Sequence, residues 1–529
     1  MDLVEIYFEI VYPIFPFFHR PTFLRRIMSR EYLSDRFTFG VTMAICALVS
    51  ARIADGAVYN PRWNLRRLTE IRSEVFYAAA VKECGNVGAL LEADFDLLRA
   101  CALLAVTALQ YGKFREMQTH LGKYHTLVAM DGLHDEENWP QDIGIVETEE
   151  RRRLFWSIYT LDIYTSIVWC GVIRCREQQS NVSYTTEMDD ELFDDDGYKS
   201  QADSDSPVII GPSPTHSSGA VRSSSWLCGW NFTTDLYRTM EHVVTDFRDK
   251  RRYKSSFLND IFGEHSAMPS SSVRDSIMAM YNNLPQCFKE TQAITCNPAQ
   301  DRHGFQAANI TATVQLLRMV LFSSGGATIE ERCRIASEVV DAFMRIPVEY
   351  LQAISSPLLH LLTGIGSILG SVFEEPLSET GYLQVRVVLL ALAQLLGNLD
   401  NGVHSTASAD KLRKLVARLD EQMENQRRGL LIDGMPSQRK RESPHGSVSS
   451  TYVSHRRSSN CSSASDLVLS SNGGSGSGGS TQSNGVNTSL LSGSTLHQQQ
   501  PQLQSLVSVP STFLEDWPWS VDFMSFPEG

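Results

Sequence analysis

With 529 residues, 42% of them apolar and 20% charged, the chain is long enough for two or three domains and has the composition of an ordinary soluble protein. A formal charge of -14 argues against a free-standing nucleic-acid binder, which would present a basic face, although a separate basic module can still carry such a chain to DNA. Ten scattered cysteines read as reduced thiols of an intracellular protein, and the nearest pair, Cys170 and Cys175, has no second pair beside it to complete a zinc site.

The opening MDLVEIYFEI places Asp2, Glu5 and Glu9 where a secretory signal would be basic. The apolar stretches around 357–373 and 387–396 are too short or too interrupted to span a bilayer, so no membrane attachment is expected. Residues 1–193 are apolar at helical spacing. In 94–112, Leu97, Cys101, Leu104 and Ala108 share a stripe, Asp94 or Asp96 suits the start and Gly112 the end. In 147–169, Leu154, Ile158, Leu161 and Val168 share a face. Thr148 is the expected cap there, and Glu149 and Glu150 suit the positive end of the helix dipole. Acids flank Arg151, Arg152 and Arg153, so pairing with Glu147, Glu149, Glu150 or a buried acid such as Asp162 accounts for them better than a targeting role.

Residues 194–225 mix acids, Ser, Pro and Gly with little to bury and read as a disordered acidic insertion. Residues 226–426 return to helical periodicity, as in 307–322, 330–346 and 382–399, with little alternation of the kind that marks strands. The expected class is therefore all-α. Residues 427–511 form a Ser/Gly/Gln-rich linker whose composition cannot offset the entropy of ordering, giving a long disordered C-terminal tail.

The tail ends differently, at 512–529. Phe513, Leu514, Trp517, Trp519, Phe523 and Phe526 alternate with Glu515, Asp516 and Asp522. Acids keep such aromatics solvated and available, and a hydrophobic groove on a coactivator or mediator-type protein can then bury them. That reading, an activation motif, outweighs a tail folded back as a plug. The basic run Arg439, Lys440 and Arg441 lies where an import receptor can reach it, which suggests a nuclear location. Residues 364–370 read Gly-x-Gly-x-x-x-Gly, one residue off the dinucleotide pattern, and no P-loop, His-Glu-x-x-His or nucleophile elbow occurs. No catalytic, cofactor-binding or metal-ligating residue is expected in this chain, and it is read as a non-enzyme.

Two blocks carry a resemblance. The segment YFEIVYPIFPFFHRPTF (7–23), through Tyr7, Phe8, Tyr12, Pro13, Phe15, Pro16, His19, Pro21 and Phe23, resembles the start of the fungal-specific transcription factor domain of binuclear zinc-cluster activators. The segment RRRLFWSIYTLDIYTSIVWC (151–170), followed by EMDDELF (187–193), is similar to a later helix of that family and its acidic close. The stretch 37–63 resembles the subgroup of activators of quinate utilisation. The resemblance implies an activator of metabolic genes transcribed by RNA polymerase II, with a helical domain that senses a small-molecule inducer or a repressor protein. It also implies a homodimer, and zinc and DNA contact through an N-terminal module of six cysteines that this sequence lacks. The alternative is a DNA-free protein-interaction regulator. His19, between Phe18 and Pro21, is expected to pack in a turn rather than to contact a ligand.

Overall fold

Met1 to Tyr12 wind as one continuous helical segment, α1 (Asp2–Ile6) passing directly into a π-helical turn at Tyr7–Val11, and seven of its apolar side chains are buried in the core. In this computed structural model the described residues are 1–84, 94–169, 171–198, 225–252, 270–323, 329–354, 362, 378–399 and 406–433. Residues 199–224, the glycine pattern at 364–370, Arg439, Lys440 and Arg441, and the whole motif at 512–529 lie outside them.

The architecture is all-α, as the periodicity requires. After α1 come α2 (Arg20–Met28), α3 (Arg36–Ala54), the short α4 (Leu65–Leu68), α5 (Ser73–Cys84), α6 (Phe95–Gln110), α7 (Phe114–Asp131) and α8 (Ile145–Val168). Helix α3 packs against α5 and α6, and α6 against α7. Asp94 caps α6 by accepting from the backbone N–H groups of Asp96 (2.8 Å) and Leu97 (3.2 Å), as its sequence position predicts. The single stripe expected for α6 is too narrow, however. Every residue from Asp96 to Gln110 is buried, so this is a central helix wrapped on all sides. Gly112, at φ +69°, lets the chain turn away immediately after it.

Helix α8 corrects the expected cap. It begins at Ile145, and Thr148 sits inside its first turn with its hydroxyl donating back to the Gly144 carbonyl at 2.9 Å. The orphan N–H of Val146 is served instead by Asp195 Oδ1, 3.0 Å away. Asp195 lies in the turn of a two-residue antiparallel hairpin, β1 (Phe193–Asp194) and β2 (Gly197–Tyr198), with Phe193 opposite Tyr198. A boundary at 194 therefore separates residues that the structure pairs.

The second half comprises α9 (Trp226–Arg252), α10 (Ser270–Asn283), α11 (Pro298–Ser323), α12 (Ile329–Met344), α13 (Val348–Ile354), α14 (Glu379–Leu399) and α15 (Thr406–Asp433). Helix α9 bridges the halves by packing on both α8 and α11, while α12 packs on α14. Asp420 of α15 accepts from Tyr382 (2.9 Å) and Arg386 (3.0 Å) of α14. One contiguous set of buried apolar residues runs from Val4 to Met423. Among the described residues two helices, α3 and α14, are long and apolar enough to cross a membrane by length and composition. In α3, 83% of the apolar window is buried inside the protein, as in the core helix of a folded domain.

Candidate functional site

The two blocks that carry the resemblance meet. Arg153 of α8, fully buried at 0% exposure, donates from Nη1 to Asp190 Oδ1 at 2.6 Å. The other carboxylate oxygen of Asp190 accepts from the backbone N–H of Arg20 at 2.7 Å and from the hydroxyl of Tyr12. His19 bonds through Nε2 to the Asp190 carbonyl (2.7 Å) and through Nδ1 to Thr22 (2.9 Å), so it does pack in a turn, at the start of α2. Its backbone N–H donates to Glu150 of α8 at 2.6 Å, and Glu150 in turn accepts from Arg99 of α6. Arg99 continues the chain to Asp96 (2.6 Å), and Asp96 to Arg26 (2.7 Å). The guanidinium of Arg302, 5.4 Å from the Tyr12 ring centroid, covers one side.

This is a latch rather than a catalytic centre. Burial by itself would raise the Asp190 carboxyl, but Arg153, His19, the Arg20 N–H and Tyr12 together outweigh it and hold it below the usual carboxylate range. At Glu150 burial wins, and its carboxyl stands above its ordinary value despite Arg99. Burial would likewise discharge Arg153, and Asp190 more than compensates, raising it. Each of the three arginines read as ion-pairing is indeed paired, though not always with the expected acid. Arg151 takes Glu147 (2.6 Å), Arg152 takes Glu136 and Glu149 (2.8 and 2.9 Å), and Arg153 takes the remote Asp190. Asp162 belongs to Arg174 at 2.5 Å instead. His125 Nε2 also lies 3.9 Å from Asp162, but burial and Arg174 push its pKa down to about 3, so the imidazole is neutral and no ion pair forms.

A second arrangement was invisible in the sequence. A cavity with about 90 Å³ open to water-sized atoms lies where the opening segment, α3, α8, α9, α11 and α13 converge. Leu161, Ala312, Leu316 and Ile354 supply apolar wall, and Thr160, Thr233, Thr234, Thr313 and Asn309 supply polar atoms. Thr233, Thr234 and Thr313 each donate to the carbonyl one helical turn back, which leaves the hydroxyl oxygens of Thr233 and Thr234 as acceptors, while Thr313 also bonds to Tyr237. Tyr237 and Tyr164 on its wall are held neutral by burial, which raises both phenols. Arg52 of α3 is the one charged residue on the lining. It is 1% exposed, and among the described residues it bonds only to backbone carbonyls, those of Ile10 (3.2 Å) and Ala353 (2.5 Å). Nothing in residues 36–54 distinguishes this arginine by pattern, because its neighbours come from five distant segments. Among the described residues no group of three or more His, Cys, Asp or Glu side chains is placed to hold a metal ion.

None of the solved structures matches this chain. Its sequence is 22% identical over 196 residues to the transcriptional activator protein acu-15 of Neurospora crassa, which covers 37% of this chain and only 20% of that relative. The chain thus spans about a fifth of the length of the curated relative it matches. Residues 4–220, a span that contains Tyr12, His19, Glu150, Arg153 and Asp190, match the sequence model of the fungal specific transcription factor domain, and the resemblance read from the two blocks is borne out at the level of that domain.

Proposed function

We propose that the protein is a transcriptional activator in which the helical domain receives a regulatory signal and the segment 512–529 recruits a coactivator. The observation that carries the reading is the family match over 4–220, together with a relative described as a transcriptional activator. The same family is one of transcription factors and not of enzymes, which supports a non-catalytic role. Within the C-terminal segment, Phe513, Leu514, Trp517, Trp519, Phe523 and Phe526 supply area to bury against a groove, and Glu515, Asp516 and Asp522 supply exposure and long-range steering. Nuclear entry through Arg439, Lys440 and Arg441, DNA contact through a zinc-bearing module, and homodimerisation belong to the same proposal.

The test fuses residues 434–529 to an unrelated DNA-binding domain in a fungal cell carrying a reporter. The fusion activates, and replacing Trp517, Trp519 and Phe523 by Ala returns the reporter to baseline. A silent wild-type fusion that is present in the nucleus rejects the activation role. A gel-shift with the chain as it stands shows no sequence-specific complex; a specific, salt-resistant one would contradict the proposed division of labour.

A further inference from the structure

Arg52 differs from the buried, ion-paired arginines Arg99 and Arg153. Arg99 and Arg153 each face a carboxylate at 2.6 Å, while Arg302, also buried, lies against the rings of Tyr12 and Trp226. Arg52, equally buried, faces none among the described residues, and Asp55 acts on it only at a distance. Both of its hydrogen bonds leave from Nη1. Among the described residues neither Nε nor Nη2 has a partner; Nε is fully enclosed, and Nη2 is not. Nη2 keeps two N–H groups that can be donated to a carboxylate. Isolating a charge in this way is expensive, because the carbonyl dipoles of Ile10 and Ala353 replace only part of its hydration. Burial accordingly lowers the Arg52 pKa to about 10, in the opposite direction to the paired arginines.

The cavity beside it supplies the rest of a binding site. No Asp or Glu lines it to compete for the cation. Its walls are apolar at Leu161, Ala312, Leu316 and Ile354, and Asn309 faces it with a side-chain amide that bonds to no other described residue. At about 90 Å³ of water-accessible space it has room for on the order of six to nine heavy atoms. We propose that this cavity binds a small monocarboxylate with a short apolar body, its carboxylate accepting from the Nη2 amino group of Arg52 and its body packed against Leu161, Leu316 and Ile354. A second carboxylate on the ligand would find no second cation, so dicarboxylates are excluded.

Because the cavity joins the opening segment and α3 to α8, α9, α11 and α13, an occupied site fastens the two halves of the helical domain together. Binding there favours the closed arrangement by as much as the ligand prefers it. This deepens the sensing half of the function proposed above by naming the class of ligand. Its readout requires no transcription, so either idea can fail without the other.

The test uses the purified full chain at pH 7 with butyrate as the probe, and butyramide and succinate as controls, read by calorimetric titration and by thermal unfolding. Butyrate binds and raises the melting temperature, while the isosteric neutral amide and the dicarboxylate do neither. Arg52→Lys keeps the charge and removes the Nη2 amino group, and weakens binding by about tenfold or more, the loss of one charge-assisted bond. Ala312→Leu fills the cavity, leaves Arg52 in place and also abolishes binding, which keeps the proposal testable if Arg52 variants unfold. Absence of any butyrate effect on the wild-type chain overturns the proposal, as does equal binding of butyramide, or undiminished butyrate binding in folded Ala312→Leu.

Discussion

Arg153 and Asp190 are worth more to the fold together than either is alone. Removing one partner of a buried pair leaves a naked charge and costs about 3–5 kcal/mol. Arg153→Met, which strands Asp190 (0% and 2% side-chain exposure in the pair), should therefore lower unfolding free energy by about that amount in urea titrations. Arg152→Ala, at a site 19% exposed, takes one partner from the buried Glu149, which keeps Thr185 and Thr186 as donors, and should cost about 1–3 kcal/mol. Two histidines set the response to acid. Burial, with Lys123 adding to it against Glu116, pushes His120 down to about 4, and burial with Arg174 pushes His125 down to about 3. Their folded pKa values lie below the unfolded 6.5, so both contribute fully above that value and lose stability as pH falls toward 4. Glu150, raised by burial, works in the opposite direction at lower pH. A drop from pH 7 to 5 should cost on the order of 1–2 kcal/mol per histidine, seen as a falling urea midpoint. The variant His120→Gln with His125→Gln should flatten that slope; an unchanged slope would mean the imidazoles are charged in the fold. That Arg151 to Arg153 would pair was legible from the flanking acids. The identity of Asp190 as a partner was not, because local charge pattern carries no information about a residue 37 positions away.

At the scale of elements, caps show what a sequence does and does not reveal. Asp94 is adjacent to the helix it caps, so its role could be read directly. Helix α8 borrows its cap from Asp195, across a hairpin, and Thr148 only looked suitable. Asp195→Ala should destabilise by about 1 kcal/mol, whereas Thr148→Val should stay within about 0.5 kcal/mol, both measurable by thermal unfolding. Helix crossings add a second case. A Cβ placed on Gly229 of α9 would stand 2.7 Å from the Phe288 ring, which is fully buried and cannot swing aside. Gly229→Ala gains up to about 1 kcal/mol in helix propensity but loses about 1–3 kcal/mol to overpacking. The expected net effect is destabilising and is relieved in a Phe288→Leu background, a coupling that a double-mutant cycle detects. Periodicity alone presents Gly229 as a weak point in a helix, since the ring it accommodates comes from another segment.

For the whole molecule, the all-α class follows from 3.6-residue periodicity, and the domain resemblance from Tyr7–Phe23 and Arg151–Cys170. The structure adds the reason those blocks go together: Tyr12, His19, Glu150, Arg153 and Asp190 are the same buried network. The cavity at Arg52 was not legible, because it is made by convergence of segments from Ile14 to Ile354 and no single stretch displays it. Residues that mark a family in sequence can thus be structural fasteners, while a ligand site can sit on residues with no signature.

The latch has a genetic corollary. Its members touch the core rather than solvent, so alleles altering Arg153, Asp190 or Tyr12 should impair regulation by depleting the protein, not by blunting its response. Such alleles should be temperature-sensitive, show reduced steady-state abundance, and be suppressed by unrelated stabilising substitutions elsewhere in the helices. Alleles at the Arg52 cavity should instead leave abundance near normal and alter the dose at which the cell responds. Immunoblots beside reporter dose curves would sort the two classes.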